Sequence, residues 1–306
     1  MNVLLTGASG QLGRELSPGL KKLGPVTRVD HTAAPGDRDL VQQDLADLGG
    51  TEVLLDRLSP GLIVNAAAYT AVDRAESEKE AAFRINADLP GCLARWSARN
   101  DCLLLHYSTD YVFSGEACEP YREDAAPGPL NVYGESKLAG ERAIAVSGCR
   151  QLVLRTSWVY SRYGNNFLLT MLRLARERPS LSIVADQTGR PTWARNLARV
   201  SLTLLDQAFG DLPGFDRWGI WHYCDSGAVS WYDFAQAIFT VAVDAGLLSR
   251  VPDLVAVQTS EFPQAATRPR YSVLDTSAIS RAFGVEPTSL RSSLEACIGE
   301  MAKHGE

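Results

Sequence analysis

Up to about Trp158, short runs of consecutive apolar residues alternate with longer stretches in which apolar side chains recur every three or four positions. The run NVLLT at residues 2–6 ends in GASGQLG, and a helix-compatible stretch follows to about Leu23, which predicts strand, tight turn and helix. PVTRVD predicts a second strand closing on Asp30, and GLIVNAAAY a third, entered after Pro60 and left through small residues. Ala82, Ile85, Leu89 and Leu93 stand at helical spacing within a long stretch from about Ala75 to Ala98. CLLLHYSTDYVF reads as a buried strand running into polar residues, NVYGESKLAGERAIAV as a helix, and RQLVLRTSWVY as another strand. Strands alternating with helices at this spacing, most of them continuous apolar runs, predict a parallel sheet covered on both faces.

Beyond Trp158 the regularity weakens. NNFLLTMLRLARER is an amphipathic helix, LSIVADQTGRPTWARN a strand and loop, and WGIWHYCDSGAVSWYDFAQAIFTVAVDAG a strand, a Ser/Gly turn and a helix. The predicted organisation is a doubly wound α/β domain over 1–157, with interleaved segments around 181–224. A smaller substrate-binding domain takes about 158–180 and 225–306.

Composition narrows the function. The net charge of -6 and pI of about 5.4 provide no basic field for nucleic acid or an anionic membrane. No apolar run reaches the roughly 18 residues of a membrane span, and MNVLLTG is too short for a signal peptide, so a cytosolic protein is expected. Cys92, Cys102, Cys118, Cys149, Cys224 and Cys297 have no C-x-x-C spacing and make no ligand pattern with His31, His106, His222 or His304. They read as buried free thiols and not as a zinc site. Only five cations are lysine, so Lys137 stands out in a chain that otherwise writes Arg.

Gly7, Gly10 and Gly13 follow the first strand and open a helix, which suits a pyrophosphate held by free backbone N–H groups and the helix dipole. The spacing is G-x-x-G-x-x-G, so the Rossmann fingerprint G-x-G-x-x-G applies by analogy, against the alternative of a plain glycine-rich turn. Asp30 can accept hydrogen bonds from an adenosine ribose and would repel a 2′-phosphate, favouring NADH, although Arg14 and Arg28 could accommodate phosphate. A solvated loop carboxylate is the other reading. Asp44 can touch the adenine or stand as a surface carboxylate. Asn65, Ala66, Ala67 and Ala68 leave the third strand, and Ser108, Thr109 and Asp110 end the fourth, all at the edge where such a sheet binds ligands. Tyr133 and Lys137, four apart, share one helix face beside Thr109. A tyrosine ionises near pH 10 and needs a nearby cation to exchange protons at neutral pH; Lys137 would supply it.

Together, G-x-x-G-x-x-G, NAAAYTAVD, HYSTDYVF, Y-x-x-x-K and RTSWVY resemble the extended short-chain dehydrogenase/reductase family. Within it, GQLGREL, HYSTDYVFSG, PLNVYGESKLAGE, LRTSWVY, GNNF and DQTGRPT resemble the dTDP-4-dehydrorhamnose reductases. The resemblance implies a Rossmann-type fold and NADH- or NADPH-dependent reduction of a C4 keto group on a dTDP-deoxysugar. It implies Tyr133 as proton donor, Thr109 as hydrogen-bond partner of the keto oxygen, and Lys137 as partner of the nicotinamide ribose. Gln11, Leu12 and Leu45 would join the glycines, Asp30, Asp44 and Ala66–Ala68 around the cofactor. Asp110 and Trp158 would touch the deoxysugar nucleotide, with Asn166 and its neighbours Asn165 and Phe167 on the nucleotide side; ordinary core packing is the alternative for Trp158. Some members hold magnesium at a dimer interface through acidic residues, one matched by Glu15. Where such members carry another glutamate this chain has Arg195, which argues against the metal and that dimer and for a monomer or weak homodimer. The competing readings are a sugar-nucleotide dehydratase or 4-epimerase, and a non-catalytic subunit similar to the regulatory subunit of methionine adenosyltransferase. Tyr111 after Asp110, in place of a second carboxylate, argues against the dehydratase.

Overall fold

The computed structural model describes residues 1–31, 40–210 and 214–304. Its strands are β1 (Val3–Thr6), β2 (Val26–Asp30), β3 (Leu40–Gln42), β4 (Leu62–Asn65), β5 (Leu103–Thr109), β6 (Gln151–Thr156), β7 (Val159–Tyr160), β8 (Ser180–Val184), β9 (Thr188–Gly189), β10 (Thr192–Trp193), β11 (Gly219–His222), β12 (Val229–Ser230) and β13 (Asp253–Val257). Its helices are α1 (Gln11–Leu20), α2 (Leu48–Leu58), α3 (Val72–Ala75), α4 (Lys79–Phe83), α5 (Leu89–Arg99), α6 (Val132–Ala145), α7 (Phe167–Glu177), α8 (Ala194–Gly210), α9 (Trp231–Asp244), α10 (Ser277–Phe283) and α11 (Leu290–His304), with a π-helical turn at Arg84–Asp88 joining α4 to α5.

Seven strands form one parallel sheet in the order β11-β6-β5-β4-β1-β2-β3. Every residue of β1, β4 and β5 is buried, which is why each opens with consecutive apolar residues and turns polar only towards its carboxyl end. Side chains alternate between two cores. Leu5, Leu105 and Leu154 pack with Leu16 and Leu20 of α1 and Leu197 and Leu204 of α8. Leu4, Ile63, Leu104 and Val153 pack with Leu89 and Leu93 of α5 and Ile144 of α6. Strand order reverses between β1 and β4, opening a crevice at their carboxyl ends.

A further core joins α7, α9 and α11 through Leu168, Leu172, Phe234, Ile238, Phe239, Leu294 and Ile298. Two segments fall differently from the predicted division. Leu181 and Ile183 of β8 belong to this third core, and β8 pairs with β13 instead of the large sheet. Ser180 and Ser182 are exposed while Leu181 and Ile183 are buried, so β8 has one apolar face and needs only one covering layer. Conversely, Ile279 and Phe283 of α10 pack in the core shared by the sheet, α1 and α8.

Candidate active site

The crevice begins with backbone. Gly7 has φ +63°, and a Cβ there would lie 2.6 Å from the Ala66 carbonyl and the Ala67 nitrogen, so β1 and β4 leave the sheet in contact. A Cβ on Gly13 would lie 2.2 Å from the Gly7 oxygen, so α1 starts hard against the turn. Gly10 caps α1 with no side-chain hydrogen bond and the first turn holds no acid. The amides of Gln11, Leu12 and Gly13 therefore have no carbonyl one turn back and point the positive end of the helix dipole into the crevice. This is a cradle that side chains would fill, and it fits the diphosphate of a dinucleotide.

Asp30 lies beside it, buried, at the end of β2. Its Oδ2 accepts from the Ser9 amide at 3.0 Å and the Ser9 hydroxyl at 2.5 Å, and its Oδ1 meets the His31 amide at 2.8 Å and His31 Nδ1 at 2.7 Å. Burial alone would raise the carboxyl; the bonds from Ser9 and His31 outweigh it and hold Asp30 below the usual range. Asp44 is exposed, its Oδ1 accepting from the Ala46 amide at 2.9 Å. Leu45 is buried in the core under α2 and α5.

Across the crevice, Thr109 ends β5. Its Oγ1 accepts from the Tyr111 amide at 3.1 Å and contacts Asp110 Oδ1 at 3.0 Å. Asn131 caps α6, its Oδ1 accepting from the Gly134 amide at 2.8 Å and its Nδ2 donating to the Thr267 carbonyl at 2.8 Å. This places Tyr133 in the first turn, beside the Thr109 hydroxyl and edge-on to the Tyr111 ring with centroids 5.8 Å apart.

One expectation is corrected here. Lys137 does not draw Tyr133 down: burial pushes the phenol up to about 12, Thr109 opposing and Asp110 adding to it. Lys137 Nζ instead donates to the Tyr107 carbonyl at 2.6 Å, and burial brings the ammonium down to about 8 against the pull of Glu141. The two side chains share a helix face, but in this arrangement the phenol stays protonated and the ammonium keeps two N–H groups for other acceptors.

Residues that pattern reading missed hold this arrangement. Glu141, one turn beyond Lys137, pairs with Arg155 through Oε1–Nε at 2.8 Å and Oε2–Nη2 at 2.6 Å, all nearly inaccessible to solvent. Ser108 donates to Glu141, and His222, pushed down to about 3 by burial and Arg155, completes the row. Asn86, in the π-helical turn, exchanges bonds with the Tyr69 backbone at 2.9 and 3.0 Å and donates to Ser136 at 3.0 Å, tying the loop after β4 to α6. The only local signal was polar residues on α6 faces that a purely apolar helix would not need.

Trp158 has φ +48° and stacks on Trp231, centroids 3.4 Å apart, with Gly189 against its ring. Asn166 caps α7 by accepting from the Leu169 amide at 3.1 Å, while its Nδ2 donates to the carbonyls of Ser161 and Tyr163 and to Gln11. Gln11 donates in turn to the Val159 carbonyl at 3.2 Å. Both amides are thus committed to fastening the 159–166 loop over the glycine turn.

The family model described as the RmlD substrate binding domain matches residues 1–303. The chain belongs to the RmlD family. It is 41% identical over 98% of its length to the dTDP-4-dehydrorhamnose reductase of Burkholderia thailandensis, 99% of which is covered. Identity is also 41% to the enzyme of that name from Escherichia coli K12, over 93% of each chain. Among solved structures, the dTDP-4-dehydrorhamnose reductase of Bacillus anthracis in complex with NADP superposes with a TM-score of 0.83 at 33% identity, over 98% of this chain and 99% of that one. The UDP-glucose 4-epimerase of Thermus thermophilus, at 18% identity and a TM-score of 0.80 over the whole of both chains, shares the fold.

In this RmlD-family chain the acids that could attract a divalent ion already hold a cation. Arg195 Nε donates to Glu15 Oε2 at 2.8 Å, and Arg195 Nη1 pairs with Glu300. A metal between Glu15 and Glu300 would meet the guanidinium, so these residues do not fit magnesium. Among the described residues no cluster of three His, Cys, Asp or Glu side chains could hold a metal, and no helix is long and apolar enough to cross a membrane.

Proposed function

We propose that the chain reduces the C4 keto group of dTDP-4-dehydro-β-L-rhamnose to give dTDP-β-L-rhamnose, with NADH or NADPH, as the last step in making this activated sugar. The carrying observation is Tyr133 and Lys137 on one face of α6 beside Thr109 at the end of β5, across the crevice from a glycine turn and a helix start with no side-chain cap. The bound nicotinamide cofactor supplies the hydride.

The backbone at Gly7, Gly10, Gln11, Leu12 and Gly13 holds the diphosphate, and Ala66–Ala68 allow the cofactor to lie across the strand ends. Asp30 receives ribose hydroxyls by exchanging its bonds to Ser9 or His31, a requirement that favours NADH; Asp44 lies on the adenine side. Tyr133, protonated at neutral pH, passes its proton to the C4 oxygen, and Thr109 hydrogen-bonds that oxygen as charge builds. Lys137 orients the nicotinamide ribose with its remaining N–H groups. Asp110, Trp158 and Asn166 border the sugar nucleotide, Asn166 by fastening its loop. The catalytic unit works in the cytoplasm as a monomer or weak dimer, in a sheet domain closed by the α7–α9–α11 layer, and its product serves surface polysaccharide synthesis.

The test is NADH oxidation followed by ultraviolet absorbance, with the keto sugar nucleotide generated in situ. Turnover with stoichiometric dTDP-rhamnose is expected, and NADPH is compared in the same cuvette. Tight NADH binding without oxidation would move the reading to an epimerase on another sugar or to a regulatory subunit.

A further inference from the structure

Thr109 has one hydroxyl hydrogen and two claims on it. Its Oγ1 already accepts from the Tyr111 amide at 3.1 Å, and at 3.0 Å from Asp110 Oδ1 its hydrogen is committed to that oxygen whenever the carboxyl is charged. A Thr109 that gives its hydrogen to Asp110 cannot also give it to Tyr133 or to a keto oxygen.

Asp110 is poorly placed to stay charged. It is 2% exposed, and its Oδ2 is buried without a hydrogen-bond partner. Burial pushes the carboxyl up to about 7, with the hydroxyls of Ser272 and Thr109 opposing. The ionisable groups around it come from every neighbouring element: Tyr133 on α6, Tyr111 beyond β5, Cys224 after β11 with Arg190 acting on that thiol, and Arg268 on the segment that also carries Ser272, its charge shared with Tyr111 and Asp73. Tyr133, Tyr111 and Cys224 are all raised by burial and stay neutral near pH 7, so Asp110 is the member of this group that changes charge there.

We propose that Asp110 is a positioning residue whose protonation state decides where the Thr109 hydrogen points: to Asp110 when the carboxyl is charged, and to Tyr133 and the C4 oxygen when it is neutral. Asp110 takes one proton from solvent and the hydrogen bond between the two residues reverses, Asp110 now donating to the second lone pair of Thr109 Oγ1. No bond to carbon is involved. This rests on the reductase reading, and it adds a condition to it: the active form has a neutral Asp110.

The test is the pH dependence of single-turnover hydride transfer, read as loss of NADH absorbance with the keto sugar nucleotide. For the wild type we expect the rate to fall about tenfold or more as pH rises from 6 to 8.5, with a midpoint near 7. Asp110→Asn, which cannot ionise and whose amide donates to Thr109 at every pH, removes that limb and leaves only the one from Lys137 near 8. Thr109→Val is slow and lacks the lower limb, Thr109→Ser keeps it, and the double variant Asp110→Asn/Thr109→Val behaves as Thr109→Val alone. Difference infrared spectra should show a protonated-carboxyl band titrating near 7 in the wild type and missing in Asp110→Asn, a readout independent of turnover. A midpoint that Asp110→Asn or Thr109→Val leaves unmoved, or a missing carboxyl band, overturns this proposal alone. Absence of oxidation by the wild type at every pH overturns the reductase reading and this one with it.

Discussion

The two walls of the crevice are built in opposite ways. On the β1–α1 side, charge is to be met by backbone: bare glycines and a helix start without a side-chain cap, beside Asp30, whose hydrogen bonds hold its carboxyl below the usual range. On the β5–α6 side, Thr109, Asp110 and Lys137 are buried beside a partly buried Tyr133, and loss of water moves Asp110, Tyr133 and Lys137 far from their ordinary values. Peptide dipoles are fixed by the fold and cannot titrate, so the first wall binds steadily across pH. Buried acids and bases respond to one another, so the second wall can do proton chemistry and must be held by a buried ion pair.

Breaking each wall should therefore give different losses. Tyr133→Phe should lower turnover by about 10²–10⁴-fold while NADH binding, measured by fluorescence titration, stays within a few-fold; near-normal turnover would remove Tyr133 from the chemistry. Gly13→Val should do the reverse, because its side chain meets the Gly7 carbonyl. Cofactor affinity should fall at least tenfold at every pH, with about 1–3 kcal/mol lost in stability. Glu141→Gln leaves Arg155 buried without its counter-charge, and denaturant unfolding should show a cost of about 3–5 kcal/mol.

A finer separation comes from stability against pH. The folded Asp110 carboxyl is raised, so its contribution to stability is complete below about pH 4 and is lost as pH rises through 7. Between pH 5 and pH 8 the wild type should lose of the order of 2 kcal/mol relative to Asp110→Asn; parallel curves would contradict a raised Asp110. The smallest effect is expected outside both walls. Arg195→Ala should cost about 1 kcal/mol or less, since that guanidinium is partly exposed, and a chelator should leave wild-type turnover unchanged.

The sequence by itself determined what depends on near neighbours in the chain. The β1, β4 and β5 runs open with consecutive apolar residues because both faces of the sheet are covered, the tight turn is spelled by its three spaced glycines, and Tyr133 and Lys137 share a face because a helix brings every fourth residue round. Tertiary structure decided everything that needed distant segments to meet. The pairing of Glu141 with Arg155, the anchoring of α6 by Asn86, the stacking of Trp158 on Trp231 and the filling of the Glu15–Glu300 gap by Arg195 have no local pattern. The core that β8 joined belongs with these, since a half-apolar strand fits any single covering layer. Protonation was decided at the same level: Asp110 and Lys137 carry ordinary side chains, and only the loss of water around them in the folded chain moves their protons into the neutral range.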